Sequence, residues 1–251
     1  MQRISPLLII FEGSDFTGKG SQVSLLEKRC ISKGIFNVKV FDFPDYSGPI
    51  GELIGKYVKN QFDMETRGKM KLSIPFLFAA DRVWGYRIIK GWLNAGFNVI
   101  CDRGPYSNIA YQSSVLEIEG ILPQKKAIHF IADLERKAIE ISGIKYPDVV
   151  IYLRIPPDML EDIFNSRSFE KVPKDIYEIS LELQRKVIQA YDYVYKIARD
   201  GDDILGGNTK WIKVDATEPV PVVHFEIWES IFDLFEKHAE EVRNYKRKLK
   251  P

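Results

Sequence analysis

Residues 11–22 read FEGSDFTGKGSQ, and the interpretation of the whole chain begins with this stretch. Gly13, Gly18 and Lys19 have the spacing G-x-x-x-x-G-K, which is typical of a loop whose backbone N–H groups cradle phosphate. An apolar run, LLIIF at residues 7–11, precedes the loop, and a helical pattern follows it. A strand before the glycines and a helix after them direct N–H groups and the helix dipole at a phosphate. The stretch therefore predicts a nucleotide-binding turn, with an ordinary glycine-rich turn as the alternative.

The size and charge of the chain restrict the kind of protein it encodes. It has 251 residues, 45% of them hydrophobic, with 36 basic and 35 acidic side chains. This composition predicts a single domain over residues 1–251. A formal net charge of +1 gives no overall attraction to nucleic acid polymers or to an anionic membrane. The apolar N-terminal run is too short for a secretion signal, and Cys30 and Cys101 lack metal-ligand spacing, so we expect a cytoplasmic protein without a membrane partner.

Short apolar runs alternate with helical stretches along the chain. Besides residues 7–11, strands are predicted at residues 37–41, 97–101, 148–153 and 211–214. Helices are predicted over residues 19–33, 50–59, about 65–94 and about 221–248. Such alternation is typical of a parallel sheet covered by helices on both faces, which binds ligands at the carboxyl ends of its strands. The loops after Phe11, Phe41 and Cys101 leave those ends.

Gly20 stands where a phosphate-binding loop usually carries the hydroxyl residue that reaches Mg²⁺. The order G-K-G, hydroxyl, glutamine resembles that of adenylate-type nucleoside monophosphate kinases, and Ser21 and Gln22 follow Gly20 in that order. A hydroxyl one place later, or a water held by it, still serves Mg²⁺. We therefore expect the loop to bind ATP. The predicted nucleotide-binding residues are Gly13, Ser14, Phe16, Thr17, Gly18, Lys19, Gly20, Ser21 and Gln22.

Four segments that occur in order together resemble the thymidylate kinase family, over nearly the whole chain. They are the loop itself with its internal Asp15, Phe43-Pro44 followed by IGELIGKYV (residues 50–58), FAADR (78–82), and DRGPYSNIAYQ (102–112). The ordered set is more specific than any single segment. The resemblance implies an α/β fold with a P-loop kinase-type five-stranded parallel sheet, helices on both faces and a lid segment.

Phe78 and Arg82 lie one helical turn apart, so an aromatic face and a guanidinium reach the same side of a helix. Phe78 could stack on a pyrimidine while Arg82 binds the base or its phosphate; the alternative is that Phe78 belongs only to the core. Arg103 follows a strand at the edge where an acceptor phosphate would lie, and its planar fork binds two oxygens. Asp102 could hold Mg²⁺ through water, with a structural Asp102–Arg103 ion pair as the alternative.

The resemblance extends the substrate site to the following helix. Ser107 and Tyr111 match family positions around the nucleoside, and Gln112 could read a thymine edge; Tyr111 and Gln112 equally fit a surface helix. The predicted substrate-binding residues are Asp15, Phe43, Pro44, Phe78, Arg82, Arg103, Ser107, Tyr111 and Gln112. The predicted metal-binding residues are Ser21 and Asp102.

Residues 165–174, NSRSFEKVPK, lie where the family has a mobile lid, here about residues 165–175. Phe16 follows Asp15 where some members have arginine, which favours the lid as the source of a catalytic cation, with Arg167 in that role. Lys171 and Lys174 fit a solvated basic loop equally well. The predicted catalytic residues are Asp15, Lys19, Arg103 and Arg167.

Two positions depart from the family pattern. Tyr46 stands where many members have an arginine for the acceptor phosphate. Gly104 stands where a tyrosine usually packs near the sugar, so we expect relaxed sugar selectivity and a sharper preference for dTMP over UMP in Gly104→Tyr.

The activity that the resemblance implies is phosphorylation of dTMP to dTDP in nucleotide biosynthesis, dependent on ATP and Mg²⁺, by a homodimer. Three alternatives remain open: a deoxynucleoside kinase, another pyrimidine nucleoside monophosphate kinase, and a nucleotide-binding regulatory protein without turnover.

Overall fold

A computed structural model describes residues 6–35, 37–167, 176–177 and 180–248 of the chain. The strands are β1 (Leu8–Glu12), β2 (Val38–Asp42), β3 (Asn98–Asp102), β4 (Val149–Arg154) and β5 (Lys210–Asp215). The helices are α1 (Lys19–Ser32), α2 (Pro49–Val58), α3 (Met64–Met70), α4 (Ile74–Asn94), α5 (Pro105–Ile118), α6 (Gln124–Ser142), α7 (Leu160–Arg167), α8 (Leu181–Arg199) and α9 (Val220–Lys248). The strands form one parallel sheet in the order β2-β3-β1-β4-β5, which confirms the predicted fold class.

The central strand β1 shows why helices cover both faces of the sheet. Its side chains alternate between the two faces, and all five of its residues are buried. Leu8 and Ile10 join a core built largely from α4, α5, α6 and α8. Ile9 and Phe11 join a second core, to which α1 and α9 contribute.

The register of the strands brings the predicted loops to one edge of the sheet. Phe11 is level with Asp102, and the Arg103 N–H donates to the carbonyl of Phe11 at 2.9 Å. The Phe43 N–H donates to the carbonyl of Asp102 at 3.0 Å. The chain segments that leave β1, β2 and β3 therefore lie side by side.

The single helix predicted over about residues 65–94 is wrong, because α3 ends at Met70 and α4 begins at Ile74. Pro75 explains the break. Proline lacks an N–H and its ring clashes with the carbonyl four residues earlier, so it is tolerated in the first turn of a helix and not in the interior. The long helix predicted at the C-terminal end is confirmed by α9.

The described residues contain no helix that is both long enough and apolar enough to cross a membrane. Cys30 and Cys101 are free thiols, and both are buried. Cys30 lies on the buried side of α1, and Cys101 lies in the buried strand β3.

Candidate active site

The loop between β1 and α1 has the backbone of a phosphate-binding turn. Gly13 and Gly18 have φ values of +149° and +74°, which favour glycine. A Cβ on Gly13 would also overlap the carbonyl oxygen of Leu153. The Lys19 ammonium folds back over the loop and donates to the carbonyl of Ser14 at 2.6 Å and to Thr17 Oγ1 at 3.3 Å. The two glycines chosen from the sequence are therefore the positions where a side chain would disrupt this turn.

Lys19 is buried among charged groups. Burial and the nearby Arg103 guanidinium lower the pKa of Lys19 to about 8, although Asp15, Asp102 and Glu12 act in the opposite direction. A group with this pKa is mostly protonated at neutral pH and loses its charge as the pH rises through about 8, unless an anion beside it raises the pKa. The ammonium is therefore placed to respond to a bound phosphate.

The start of α1 and the end of β3 meet at a place that suits a magnesium ion. A Cβ on Gly20 would lie 3.3 Å from Asp102 Oδ2, and Ser21 is exposed in the first turn of α1. Asp102 Oδ1 is buried and has no hydrogen-bond partner within the described part of the chain. A carboxylate oxygen and a hydroxyl are ligands that Mg²⁺ accepts, directly or through water, while it binds phosphate oxygens. Asp102 and Ser21 fit this cation.

Asp15 and Arg103 form an ion pair where the loops after β1 and β3 meet. The carboxylate Oδ1 bonds to Nη2 of the guanidinium, and Nη1 donates to the carbonyl of Gly13 at 3.3 Å. Arg103 has a φ of +65°, a left-handed conformation that a non-glycine residue rarely adopts and that is common at functional sites. The alternative of a structural Asp102–Arg103 pair is wrong, because Arg103 pairs with Asp15.

Gln184 of α8 fixes Asp15 from the other side. Its Nε2 donates to Asp15 Oδ2 at 2.8 Å, and its Oε1 accepts the Asp15 N–H at 3.0 Å. The same Nε2 donates to the carbonyl of Tyr177 at 3.0 Å. Burial alone would raise the pKa of Asp15, but Arg103, Lys19 and these hydrogen bonds outweigh it and lower the pKa below its usual value. Asp15 is therefore a fixed anion and a weak base.

A cavity opens beside the Asp15–Arg103 pair. Its walls include every residue that the sequence predicted to bind substrate. The remaining lining residues are Tyr46, Val58, Asn108 and Tyr177.

One wall of the cavity is built from aromatic rings and a buried guanidinium. Phe78 lines the cavity although it is only 8% exposed, so its core role and its site role coincide. The Arg82 guanidinium lies 4.2 Å from the centre of the Phe43 ring, and its Nη2 donates to the carbonyl of Gly104 at 2.9 Å. Arg82 is thus held in a fixed position beside the cavity.

Another part of the cavity wall comes from α5. Tyr111 and Gln112 are both buried, so the alternative of a surface helix is wrong. The Gln112 amide donates to Tyr177 Oη at 3.0 Å. Ser107 lines the cavity while its N–H and hydroxyl bind the buried Glu12 carboxylate beneath it.

The expectation that a side chain at position 104 borders the sugar is wrong. A Cβ on Gly104 would point at Ile10 of β1, 2.8 Å from Cγ2 and 2.9 Å from Cδ1, and would lie 3.3 Å from Glu12 Oε1. These contacts lie beneath the loop, against the sheet. The absence of a side chain at Gly104 therefore does not widen the cavity.

Two residues predicted to bind nucleotide, Gln22 and Phe16, contact other helices of the protein. The Gln22 amide donates to the carbonyl of Val220 at 3.0 Å, which connects α1 to the start of α9. Phe16 packs edge to face on Phe164 of α7, with the ring centres 5.8 Å apart. Arg167 is the last residue of α7; its side chain, Lys171 and Lys174 lie outside the described residues.

Sequence reasoning missed Gln184, Asn108 and Tyr177. A signal was present for Gln184, a polar residue beside Leu183 in the repeating apolar pattern of α8. Asn108 lies within DRGPYSNIAYQ, where the resemblance instead indicated Ser107, Tyr111 and Gln112. Tyr177 follows the lid segment and gave no pattern of its own.

The arrangement agrees with the comparisons with known proteins. A family model described as thymidylate kinase matches residues 11–227. The thymidylate kinase of Plasmodium falciparum is 30% identical over 223 residues, which cover 89% of this chain and 88% of that protein. The enzyme of Schizosaccharomyces pombe is 27% identical over 88% of this chain and 89% of that protein. A solved structure of thymidylate kinase from Candida albicans has a TM-score of 0.70 at 27% identity, covering 93% of this chain and 94% of that chain. This chain belongs to the thymidylate kinase family.

Proposed function

We propose that this kinase transfers the γ-phosphate of ATP to dTMP and so produces dTDP for nucleotide biosynthesis. The observation that carries the proposal is the position of the Asp15–Arg103 pair. It lies between the phosphate-binding loop with Lys19 and a cavity lined by Phe78, Arg82 and Tyr111. A donor phosphate on the loop and an acceptor phosphate in the cavity would meet at this pair.

On the donor side, the loop N–H groups and Lys19 would bind the β- and γ-phosphates. Asp102 and Ser21 would hold Mg²⁺, directly or through water, and this cation would neutralise charge on the transferred group. The pKa of Lys19 is lowered to about 8, and a bound phosphate would raise it again and so stabilise the protonated ammonium.

On the acceptor side, Arg103 would bind the phosphate of dTMP through its planar fork. Its contacts with Asp15 and with the carbonyl of Gly13 orient the guanidinium group. Phosphoryl transfer needs little covalent help from protein groups, so positioning and charge stabilisation would provide most of the rate acceleration. Asp15 would orient Arg103.

We also propose that residues 165–175 form a lid within a single domain of residues 1–251, with Arg167 as its catalytic arginine. In support, the Phe16–Phe164 contact places α7 against the phosphate-binding loop. Residue 167 follows Phe164 by less than one helical turn, so its backbone lies close to that loop.

We also propose that the protein is a homodimer and that it acts in the cytoplasm. One exposed side of α4 carries Phe76, Trp84 and Ile88, and Phe130 of α6 packs beside Phe76 with ring centres 5.8 Å apart. Large exposed apolar patches commonly mark contact surfaces. The free thiols of Cys30 and Cys101 suit a reducing compartment.

The alternatives are less favoured. A deoxynucleoside kinase needs a carboxylate base for a sugar hydroxyl, and the lowered pKa of Asp15 makes it a weak base. A regulatory protein without turnover drew support from Gly20, Tyr46 and Gly104, and Tyr46 lines the cavity. Gly20 lies beside a carboxylate suited to Mg²⁺, and Gly104 does not border the cavity.

An ADP-release assay with dTMP, UMP, dCMP and thymidine tests the proposal. We expect dTMP to be the preferred acceptor and thymidine, which lacks the phosphate, to be a poor one. Lys19→Ala should lower kcat by roughly 10²–10³, the usual loss when one stabilising donor is removed. A higher kcat/KM for thymidine than for dTMP would reassign the protein to the nucleoside kinases, and no ADP release with any acceptor would favour the regulatory role.

A further inference from the structure

Glu12, the last residue of β1, is a buried carboxylate to which the proposed phosphoryl transfer assigns no role. It is 0% exposed. Its Oε1 accepts the Ser107 N–H at 3.1 Å, and its Oε2 lies within hydrogen-bonding distance of two hydroxyls, Ser107 Oγ and Tyr191 Oη. Ser107 lines the cavity, and Tyr191 is a buried residue of α8. Glu12 therefore connects β1 to α5 and α8 behind a residue of the cavity wall.

Three oxygen atoms of this cluster contact one another in a closed triangle. Tyr191 Oη lies 2.8 Å from Glu12 Oε2 and 2.9 Å from Ser107 Oγ, which itself bonds to Oε2. Each hydroxyl has one hydrogen, and an ionised carboxylate has none. Two hydrogens therefore serve three contacts, and in one contact two oxygens face each other with no hydrogen between them. A proton on Oε2 would supply the third hydrogen, so the triangle fits a neutral carboxyl group.

The charges around the triangle influence whether Glu12 binds that proton. Burial raises the pKa of Glu12, and it outweighs the hydrogen bonds of Ser107 and Tyr191 and the charges of Arg103 and Arg82, which all lower the pKa. Arg103 lies beside the triangle, because its Nη1 approaches Ser107 Oγ at 3.5 Å. Both arginine charges favour the ionised form. Further titratable groups that interact with Glu12 are Lys19 of α1, Tyr86 of α4, Cys101 of β3, Tyr106 of α5 and Glu135 of α6.

A phosphate dianion bound by Arg103 would change this balance. Its negative charge would offset the guanidinium charge that favours the ionised form of Glu12. It would also repel a carboxylate anion nearby, and the repulsion is poorly screened in a buried site. Both effects favour a proton on Glu12.

We propose that Glu12 takes up one proton from the solvent when the phosphate of the acceptor nucleotide binds to Arg103, so that the site holds the dianion without an opposing buried anion. The inference rests on the proposed function, since it concerns the acceptor of that reaction. Ser107 provides the route for the proton. A hydronium ion or a buffer acid in the cavity gives a proton to Ser107 Oγ as the hydrogen of that hydroxyl moves to Glu12 Oε2, which leaves Ser107 unchanged and Glu12 neutral.

Calorimetry of dTMP binding in buffers of different ionisation enthalpy measures the protons taken up and requires no turnover. The experiment compares wild type with Glu12→Gln, whose side chain cannot titrate and whose amide nitrogen supplies hydrogens to the triangle. Wild type should take up more protons than the variant, by up to about one per dTMP, at pH values between the pKa of Glu12 in the free protein and its pKa in the complex. Lys19 and the second ionisation of the phosphate, with a pKa of about 6, also contribute, so the difference between the two proteins is the quantity that tests the proposal.

The affinity for dTMP should follow the same linkage. Because binding takes up a proton, the wild-type Kd should rise with pH by up to about tenfold per unit in that range, and Glu12→Gln should remove this rise. A purely structural role of Glu12 would instead weaken binding at every pH. Thymidine, which has no phosphate, should produce no difference in proton uptake between the two proteins.

Two further variants complete the test. Glu135 is also 0% exposed and interacts with Arg82, so Glu135→Gln shows whether any buried glutamate gives the same result. It should keep the uptake that Glu12→Gln loses. Tyr191→Phe retains the carboxyl group and removes one corner of the triangle, so it should shift the pH of maximum uptake even if Glu12→Gln does not fold.

Equal uptake by wild type and Glu12→Gln, loss of the uptake in Glu135→Gln instead, or an unshifted maximum in Tyr191→Phe would overturn the inference. Uptake that depends on Glu12 in a protein without turnover would refute the proposed reaction and leave the role of Glu12 standing. A wild-type protein that does not bind dTMP would overturn both.

Discussion

Lys19 is the residue whose charge depends most directly on what the loop binds. Its pKa of about 8 results from burial and from Arg103, and a bound phosphate would raise it. We expect ATP binding to take up a proton near pH 8 and the affinity to fall as the pH rises through about 8, because the neutral amine binds phosphate weakly. Calorimetry in buffers of different ionisation enthalpy measures the proton uptake. Lys19→Ala should abolish that uptake, and an unchanged uptake would assign the titration to another group.

The Ser21 hydroxyl lies one residue after the position where a phosphate-binding loop usually carries its hydroxyl. Its proposed role is to bind Mg²⁺, directly or through water. We expect Ser21→Ala to raise the Mg²⁺ concentration needed for half-maximal activity. Adding Gly20→Ser to Ser21→Ala should lower that Mg²⁺ concentration part of the way back to the wild-type value, because the new hydroxyl would lie beside Asp102. Mg²⁺ titrations of the ADP-release assay measure both effects. Identical titrations for wild type and Ser21→Ala would exclude Ser21 from the metal site.

Gly104 shows how a family comparison misleads when only the residue type is considered. A methyl group there would press on Ile10, so we expect Gly104→Ala to lower the free energy of unfolding by about 1–3 kcal/mol, the usual cost of overpacking. The ratio of kcat/KM for dTMP and UMP should stay the same, since the side chain points away from the cavity. Urea unfolding and the two-substrate assay measure these quantities. A changed ratio with unchanged stability would show that position 104 faces the sugar after all.

At the scale of elements, the sequence predicted what depends on local pattern. A short window of sequence is enough to show the apolar run of β1, the spacing of the glycines after it and the helical periodicity of α9. The break between α3 and α4 was missed, although Pro75, which is not tolerated in a helix interior, marked it. The link from Gln184 to Asp15 was not readable, because 169 positions separate the two residues and only the packing of α8 on the loop joins them.

That link connects α8 to the proposed catalytic residues Asp15 and Arg103. Gln184→Leu would remove the hydrogen bonds of Gln184 to the Asp15 N–H and to Asp15 Oδ2, so Asp15 would hold Arg103 less firmly. We expect kcat for dTMP to fall roughly tenfold or more, with a smaller change in the KM for ATP. Gln189→Leu, an exposed change of the same type on α8, is the matched control. Equal kcat values for the two variants would show that Asp15 needs no support from α8.

At the scale of the whole molecule, the site depends on the order of the strands. The sequence indicated a parallel sheet but not that β1 lies between β3 and β4, which places Asp15 beside Arg103. The predicted substrate residues come from four separate segments, and their meeting in one cavity follows from this order and from α4 and α5 packing on the same face. The family resemblance implied that assembly in advance, while the link from Gln184 to Asp15 emerged only from the packed structure.

The packing of α4 also leads to the last prediction. Its buried side carries Phe78 and Arg82, and its exposed side carries Phe76, Trp84 and Ile88 at 49%, 41% and 37% exposure. A second copy of the chain covering these side chains would also support the helix that holds Phe78 and Arg82, the proposed base-binding residues. We therefore expect Phe76→Glu with Ile88→Glu to convert a dimer into a monomer, because two buried, unpaired carboxylates would oppose the contact. Light scattering after gel filtration measures the mass, and Phe225→Glu, on the exposed side of α9, should leave it unchanged. A wild-type protein with the mass of one chain at assay concentration would contradict the homodimer, and a dimer that survives both α4 substitutions would place the interface on another face.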